Sequence, residues 1–92
     1  MTERRRIRVT GRVTGVGFRW FVEELASRQR LGGWVRNAGL DVEIEAEGEP
    51  SQLDAFVEAL RHRPPEAARV DAVLCEACAP EGEREFRRRS SR

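Results

Sequence analysis

Apolar and polar positions change period several times along this chain, and each change marks an element. Residues 7–13 alternate, with Ile7, Val9 and Val13 on one side and Arg8, Thr10 and Arg12 on the other, which predicts a half-buried strand. From 18 to 30 the period becomes helical. Phe18, Phe21, Val22, Leu25 and Ala26 recur on one face, Glu23, Glu24, Arg28 and Arg30 lie outside it, and Gly32 and Gly33 are expected to stop the helix. Trp34, Val35 and Arg36 form a second strand ending near Asn37. After a turn at Ala38, Gly39 and Leu40, Val42, Ile44 and Ala46 alternate with Asp41, Glu43, Glu45 and Glu47, giving a third strand with a solvated acidic face. Ser51 is the expected N-cap of a second helix, with Asp54 three residues on. Leu53, Phe56, Val57 and Leu60 line its buried side, and Pro64 and Pro65 end it. Val70, Val73 and Cys75 mark a fourth strand reaching toward Ala79, and residues 83–88, centred on Phe86, can add a short fifth.

Strand, helix, strand, strand, helix, strand is the split βαβ order of an α+β, ferredoxin-like sandwich, an antiparallel sheet with both helices on one face. The 92 residues fit a single domain, 1–92, with an ordered core of about 5–88. Arg4 to Arg6 and the tail after Arg88 are expected to be frayed or solvated. A hydrophobic fraction of 39% supports one modest core.

Charged residues make up 36% of the chain, yet the net charge is +1, so no global field favours nucleic acid or a membrane surface. All 17 basic residues are arginine, which GC-rich coding explains more economically than function. There is no apolar run of the ~18 residues that a membrane span needs, and the basic N-terminus lacks the apolar stretch of a signal peptide. The expectation is a cytoplasmic monomer with Cys75 and Cys78 reduced.

Candidate chemistry concentrates in GRVTGVGFRW, residues 11–20. Glycines let the backbone turn tightly and bring its N–H groups to a ligand, a helix N-terminus adds unpaired donors, and Arg19 adds a planar charged fork. Together they read as an oxyanion cradle. In the inferred topology the first and second strands are parallel, separated by the third, so their C-terminal ends share one sheet edge. Asn37 then lies roughly 10 Å, two strand spacings, from the glycine loop, a gap the Arg19 side chain can largely close.

Other chemistry-bearing residues have plainer readings. Cys75-Glu76-Ala77-Cys78 is a lone pair with one histidine, His62, in the chain, too few ligands for a structural zinc site. It is expected in a strand, with cysteine as a small apolar filler. His62 is an exposed helix-end residue. Trp34 reads as core, and the surface-aromatic pattern of RNA-binding ferredoxin-like domains is missing, since the first strand offers Arg8, Thr10 and Arg12.

GRVTGVGFR at 11–19, GGWVRN at 32–37, PPEAARVDAV at 64–73 and EGEREF at 81–86 together resemble the acylphosphatases over residues 5–88. The resemblance implies a ferredoxin-like enzyme that hydrolyses a small-molecule acyl phosphate to carboxylate and inorganic phosphate with no cofactor and no metal, while the near-zero net charge and the acidic third strand lead to the expectation of no nucleic-acid or membrane partner. It implies a phosphate site formed by Thr14, Gly15, Val16, Gly17, Phe18 and Arg19, with Arg19 and Asn37 catalytic and Asn37 positioning water. The chain departs from the family pattern at Thr14, where glutamine is common, at Ala38, where threonine is common, and in a hairpin about one residue short without Asp-Gly. None of these removes a catalytic group, and the reading remains an acylphosphatase; Ala38 and the short hairpin lend modest support to the alternative, a non-catalytic or slow acylphosphatase-like phosphate-binding module. A nucleic-acid-binding domain using the arginine-rich ends is a third reading.

Overall fold

A computed structural model describes residues 1–91. The elements are β1 (Glu3–Arg12), α1 (Phe18–Arg28), β2 (Gly32–Ala38), β3 (Asp41–Gly48), α2 (Pro50–His62), β4 (Arg69–Cys78) and β5 (Phe86–Arg88). They form one sheet in the order β4-β1-β3-β2-β5. β1 runs antiparallel to β3 and β4, and β2 runs antiparallel to β3. β5 lies parallel to β2, so the fifth strand makes the expected antiparallel sheet a mixed one.

The register separates two faces. Cys75, Ile7, Ile44 and Val35 stand in one row across four strands. Ile7, Ile44 and Val35 of this row are fully buried under Phe18 and Val22 of α1 and Leu53, Phe56 and Leu60 of α2. Asn37 shares their parity on β2, opposite Val42, so it belongs to the helix-covered side. The other face carries Arg4, Arg6 and Arg8 directly opposite Glu47, Glu45 and Glu43.

That second face departs most from expectation. Arg4 to Arg6 are not frayed: they lie within β1, and Arg4 is 1% exposed. Its guanidinium donates to Glu45 at 2.8 Å, Glu47 at 2.9 Å and Glu83 at 2.7 Å. Glu45 and Glu47, expected to be solvated, are buried for the same reason. Cross-strand pairing sets each acid against an arginine, and matched charges tolerate burial that lone ones would not. Burial disfavours the Arg4 charge, but the bonds to Glu45, Glu83 and Glu47 outweigh it and hold its pKa above the ordinary arginine value. Burial likewise pushes the Glu47 carboxyl up. The Glu81 N–H, Arg4 and the Gly82 N–H more than reverse that and leave it below the usual carboxylate range. Trp34 is buried on this face rather than in the helix-side core, with the guanidinium carbons of Arg36 and Arg89 at 4.8 and 5.0 Å from its ring centroid.

Several boundaries also differ. α1 ends before the glycines. Leu31 N–H donates to Ala26 O at 2.9 Å and Arg30 N–H to Ser27 O at 3.1 Å, a Schellman closure with Arg30 in the left-handed position at φ 57°. Gly32 and Gly33 belong to β2 instead. At Gly33 the Glu45 carbonyl occupies the space a Cβ would need, so close strand approach requires the glycine there. Ser51 is not the N-cap of α2. Glu49 is, with Pro50 in the first turn and Gln52 Oε1 accepting from Glu49 N–H at 3.2 Å. β4 is an edge strand, so Cys75 is exposed rather than a filler. The chain past β5 is held as far as Arg89, whose N–H donates to Val35 O at 2.8 Å. Arg92 lies outside the described residues.

Candidate active site

Gly11 does not join the cradle. It sits at a register shift between Thr10 and Gly11 where β1 pairs with β4. The loop proper begins after β1 and contains Gly15 and Gly17, at φ 70° and 76°, with Val16 between them outside the positive-φ region. Alternation of hand is the backbone pattern by which an anion nest turns successive N–H groups toward one concavity. A Cβ at Gly15 or Gly17 would meet nothing within 4 Å, so it is backbone conformation and not space that demands glycine at both positions.

The loop runs directly into α1. Gly17 is its N-cap and can offer no side-chain bond, and no acidic residue lies in the first turn. The positive end of the helix and its first N–H groups are therefore not neutralised from within the helix. α2 presents the opposite case, with its N-cap N–H closed by Gln52.

Val13, Gly15, Gly17, Phe18, Arg19, Trp20, Asn37 and Arg88 line a recess of 240 Å³ at this edge of the sheet. The Phe18 ring is buried in the core, so what that residue can offer a ligand is its backbone. Thr14 and Val16 are half-buried and lie outside the recess lining, and Val16 packs against the core. The sequence-predicted residues Gly15, Gly17, Phe18, Arg19 and Asn37 thus come together.

Two features mark the recess chemically. It is lined by two arginines and no acid, and among the described residues Arg19 has no hydrogen-bonding or ion-pair partner. Asn37 Oδ1 is buried and also lacks a hydrogen-bond partner, the one such side-chain atom among the described residues. A buried acceptor left unpaired costs about 1–3 kcal/mol, which is retained at sites where a ligand or water supplies the donor.

Three lining residues stand outside the predicted site: Val13, expected as a buried strand position, Trp20 and Arg88. Trp20 stands 63% exposed at the recess. Arg88 arrives from β5, opposite Val35 on β2, and donates to Glu23 of α1 from Nη2 at 2.6 Å and Nε at 3.1 Å. No periodic signal could have placed it there, because its position depends on a parallel pairing across the sheet. His62 is exposed at the end of α2, 3.3 Å from Glu58, as expected. Among the described residues no group of three or more His, Cys, Asp or Glu side chains is arranged to hold a metal ion, and no helix is long and apolar enough to cross a membrane.

The Acylphosphatase family model matches residues 5–88. An acylphosphatase of Koribacter versatilis is 53% identical over 81 residues, covering 86% of this chain and 72% of that protein. A carbamoyltransferase HypF2 of Cupriavidus necator is also 53% identical, over 78 residues that make up 85% of this chain but 10% of that protein. The chain therefore spans about a tenth of such relatives and most of the length of the shorter acylphosphatases. Among solved structures, an acylphosphatase from Bacillus subtilis superposes with a TM-score of 0.89 at 39% identity, covering 95% of this chain and 97% of that one. A full-length HypF in its phosphate- and nucleotide-bound form gives 0.94 at 30% identity, covering 99% of this chain and 12% of that one.

Proposed function

The chain belongs to the acylphosphatase family, and from that premise we propose that it hydrolyses acyl phosphates at the recess between the glycine loop and Asn37. Phosphoryl oxygens sit against the N–H groups of Gly15 to Phe18 and the first turn of α1, and the Arg19 fork makes two parallel bonds to the same group. An acyl phosphate is already activated, so positioning and charge stabilisation do most of what the reaction needs.

The Asn37 amide oxygen accepts a hydrogen bond from water and aims its oxygen in line at phosphorus. The new P–O bond forms as the bond to the acyl oxygen breaks, and the carboxylate leaves with that electron pair. An amide does not titrate, so Asn37 is not the base; the water proton passes to a phosphoryl oxygen. The observation that supports this reading most is the pairing of an unpartnered Arg19 with an unpartnered, buried Asn37 Oδ1 on one recess.

The test is steady-state hydrolysis of benzoyl phosphate in EDTA by wild type, Arg19→Ala and Asn37→Ala. Turnover in wild type that is lost in both folded variants is the expected result. Activity indifferent to Arg19→Ala would remove the site. A second reading, a slow phosphate-binding module, is supported by Ala38, which offers no hydroxyl beside Asn37, and by the match to a short segment of much longer carbamoyltransferases. Phosphate binding without turnover in wild type would favour it.

A further inference from the structure

Glu23 lies four residues after Arg19 on α1, and side chains at that spacing are neighbours on a helix surface. An arginine and a glutamate so placed are within reach of each other, and a pair would fill the Arg19 fork with a carboxylate of the protein itself. In this structure they do not pair. The Glu23 carboxylate goes instead to Arg88, whose Nη2 and Nε both donate to Oε1, at 2.6 and 3.1 Å. Arg88 is held for this by β5, which sets it opposite Val35, and by Arg89 N–H on Val35 O just beyond. Arg88 also lines the recess beside Arg19 and Asn37, so the diverted carboxylate is held next to the phosphate site rather than in it.

We propose that Arg88 is a positioning residue: it keeps Glu23 off Arg19 and thereby leaves the Arg19 fork open to phosphate. The inference rests on the reading of Arg19 as the phosphate ligand. Losing the Arg88 charge has two consequences of one origin. Glu23 becomes free to compete for Arg19, and the rim loses the positive charge that balances Glu23, so an arriving anion meets a neutral edge. Both consequences require the Glu23 carboxylate. Direct binding of the anion by Arg88 would not require it, and that is how the two roles separate.

The experiment measures inorganic phosphate affinity and benzoyl phosphate kinetics for wild type, Arg88→Met, Glu23→Gln and the double variant, at low and high salt. Arg88→Met should weaken phosphate binding about three- to fivefold, the scale of partly exposed ion pairs, and raise KM more than it lowers kcat. Adding Glu23→Gln should restore phosphate affinity to within about twofold of wild type, which no loosening of β5 would do, and high salt should shrink the Arg88→Met defect. A double variant as weak as Arg88→Met would overturn the proposal, and so would an Arg88→Met that binds phosphate as wild type does. A wild type that neither binds phosphate nor turns over would remove the premise itself, an outcome distinct from both.

Discussion

Arg4 and Arg19 sit on the same sandwich and have opposite surroundings. Arg4, on the uncovered face of the sheet, donates to three glutamates within 2.9 Å and is almost fully buried. Arg19, at the loop edge, touches no acid among the described residues, and no acid lines its recess. The difference lies in what faces each arginine and not in the arginine. β3 supplies Glu43, Glu45 and Glu47 at alternate positions, in register with Arg8, Arg6 and Arg4 of β1. On α1 the acid one turn from Arg19 is Glu23, and that carboxylate is bound by Arg88. An arginine whose charge the fold has already satisfied is part of the structure. One the fold leaves unsatisfied, at a helix N-terminus, is available to a ligand.

The contrast can be broken at either end. Between the two arginines, the larger effect on stability is expected from Arg4→Met. Removing one member of a buried charge cluster leaves the others uncompensated and should cost about 3–5 kcal/mol in chemical denaturation, with the residual native protein still active. Arg19→Ala should do the reverse. Catalytic efficiency should fall by roughly 10²–10³-fold, as for loss of a key oxyanion donor, with the unfolding midpoint little changed. Asn37→Ala should lower kcat by about 10²-fold, the scale of a misplaced reacting group, while phosphate affinity changes much less.

Gly15→Ala sharpens the comparison within the glycines. A left-handed residue with a Cβ costs about 1–2 kcal/mol, paid here in the loop, so phosphate affinity should drop before the fold does. Gly33→Ala should unfold the protein instead, because the Glu45 carbonyl stands where the Cβ must go.

The smallest effect is a pH dependence. Glu47 titrates lower in the folded chain than unfolded, so its contribution is fully present above the ordinary glutamate pKa of about 4.3. It drains away as pH falls through the lower folded value. Stability measured from pH 7 downward should fall in that acid range, and Glu47→Gln should show a shallower slope there.

The helix-side core was legible in the sequence because it follows periodicity. Ile7, Val9, Ile44, Leu53 and Phe56 are buried where alternation and helical spacing put them. The loop and Arg19 were legible because adjacent residues in the chain build them, and Asn37 because strand order alone sets two strand ends on one edge. The buried lattice of Arg4, Glu45 and Glu47 was not legible. Alternating charge looks the same whether it faces water or a matched strand, and only the register of β1 against β3 distinguishes the two. The end of α1 was misplaced because an arginine took the left-handed position expected of glycine.

By itself, then, the sequence determined which apolar residues turn inward and where a glycine loop meets a helix N-terminus, since both depend on neighbours a few residues apart. Tertiary structure alone decided which charges are already answered and which are not. Glu83 reaches Arg4 across 79 positions of chain, and Arg88 reaches Glu23 across 65. Electrostatic pairing depends on distance in space, and at such separations only the folded chain defines that distance.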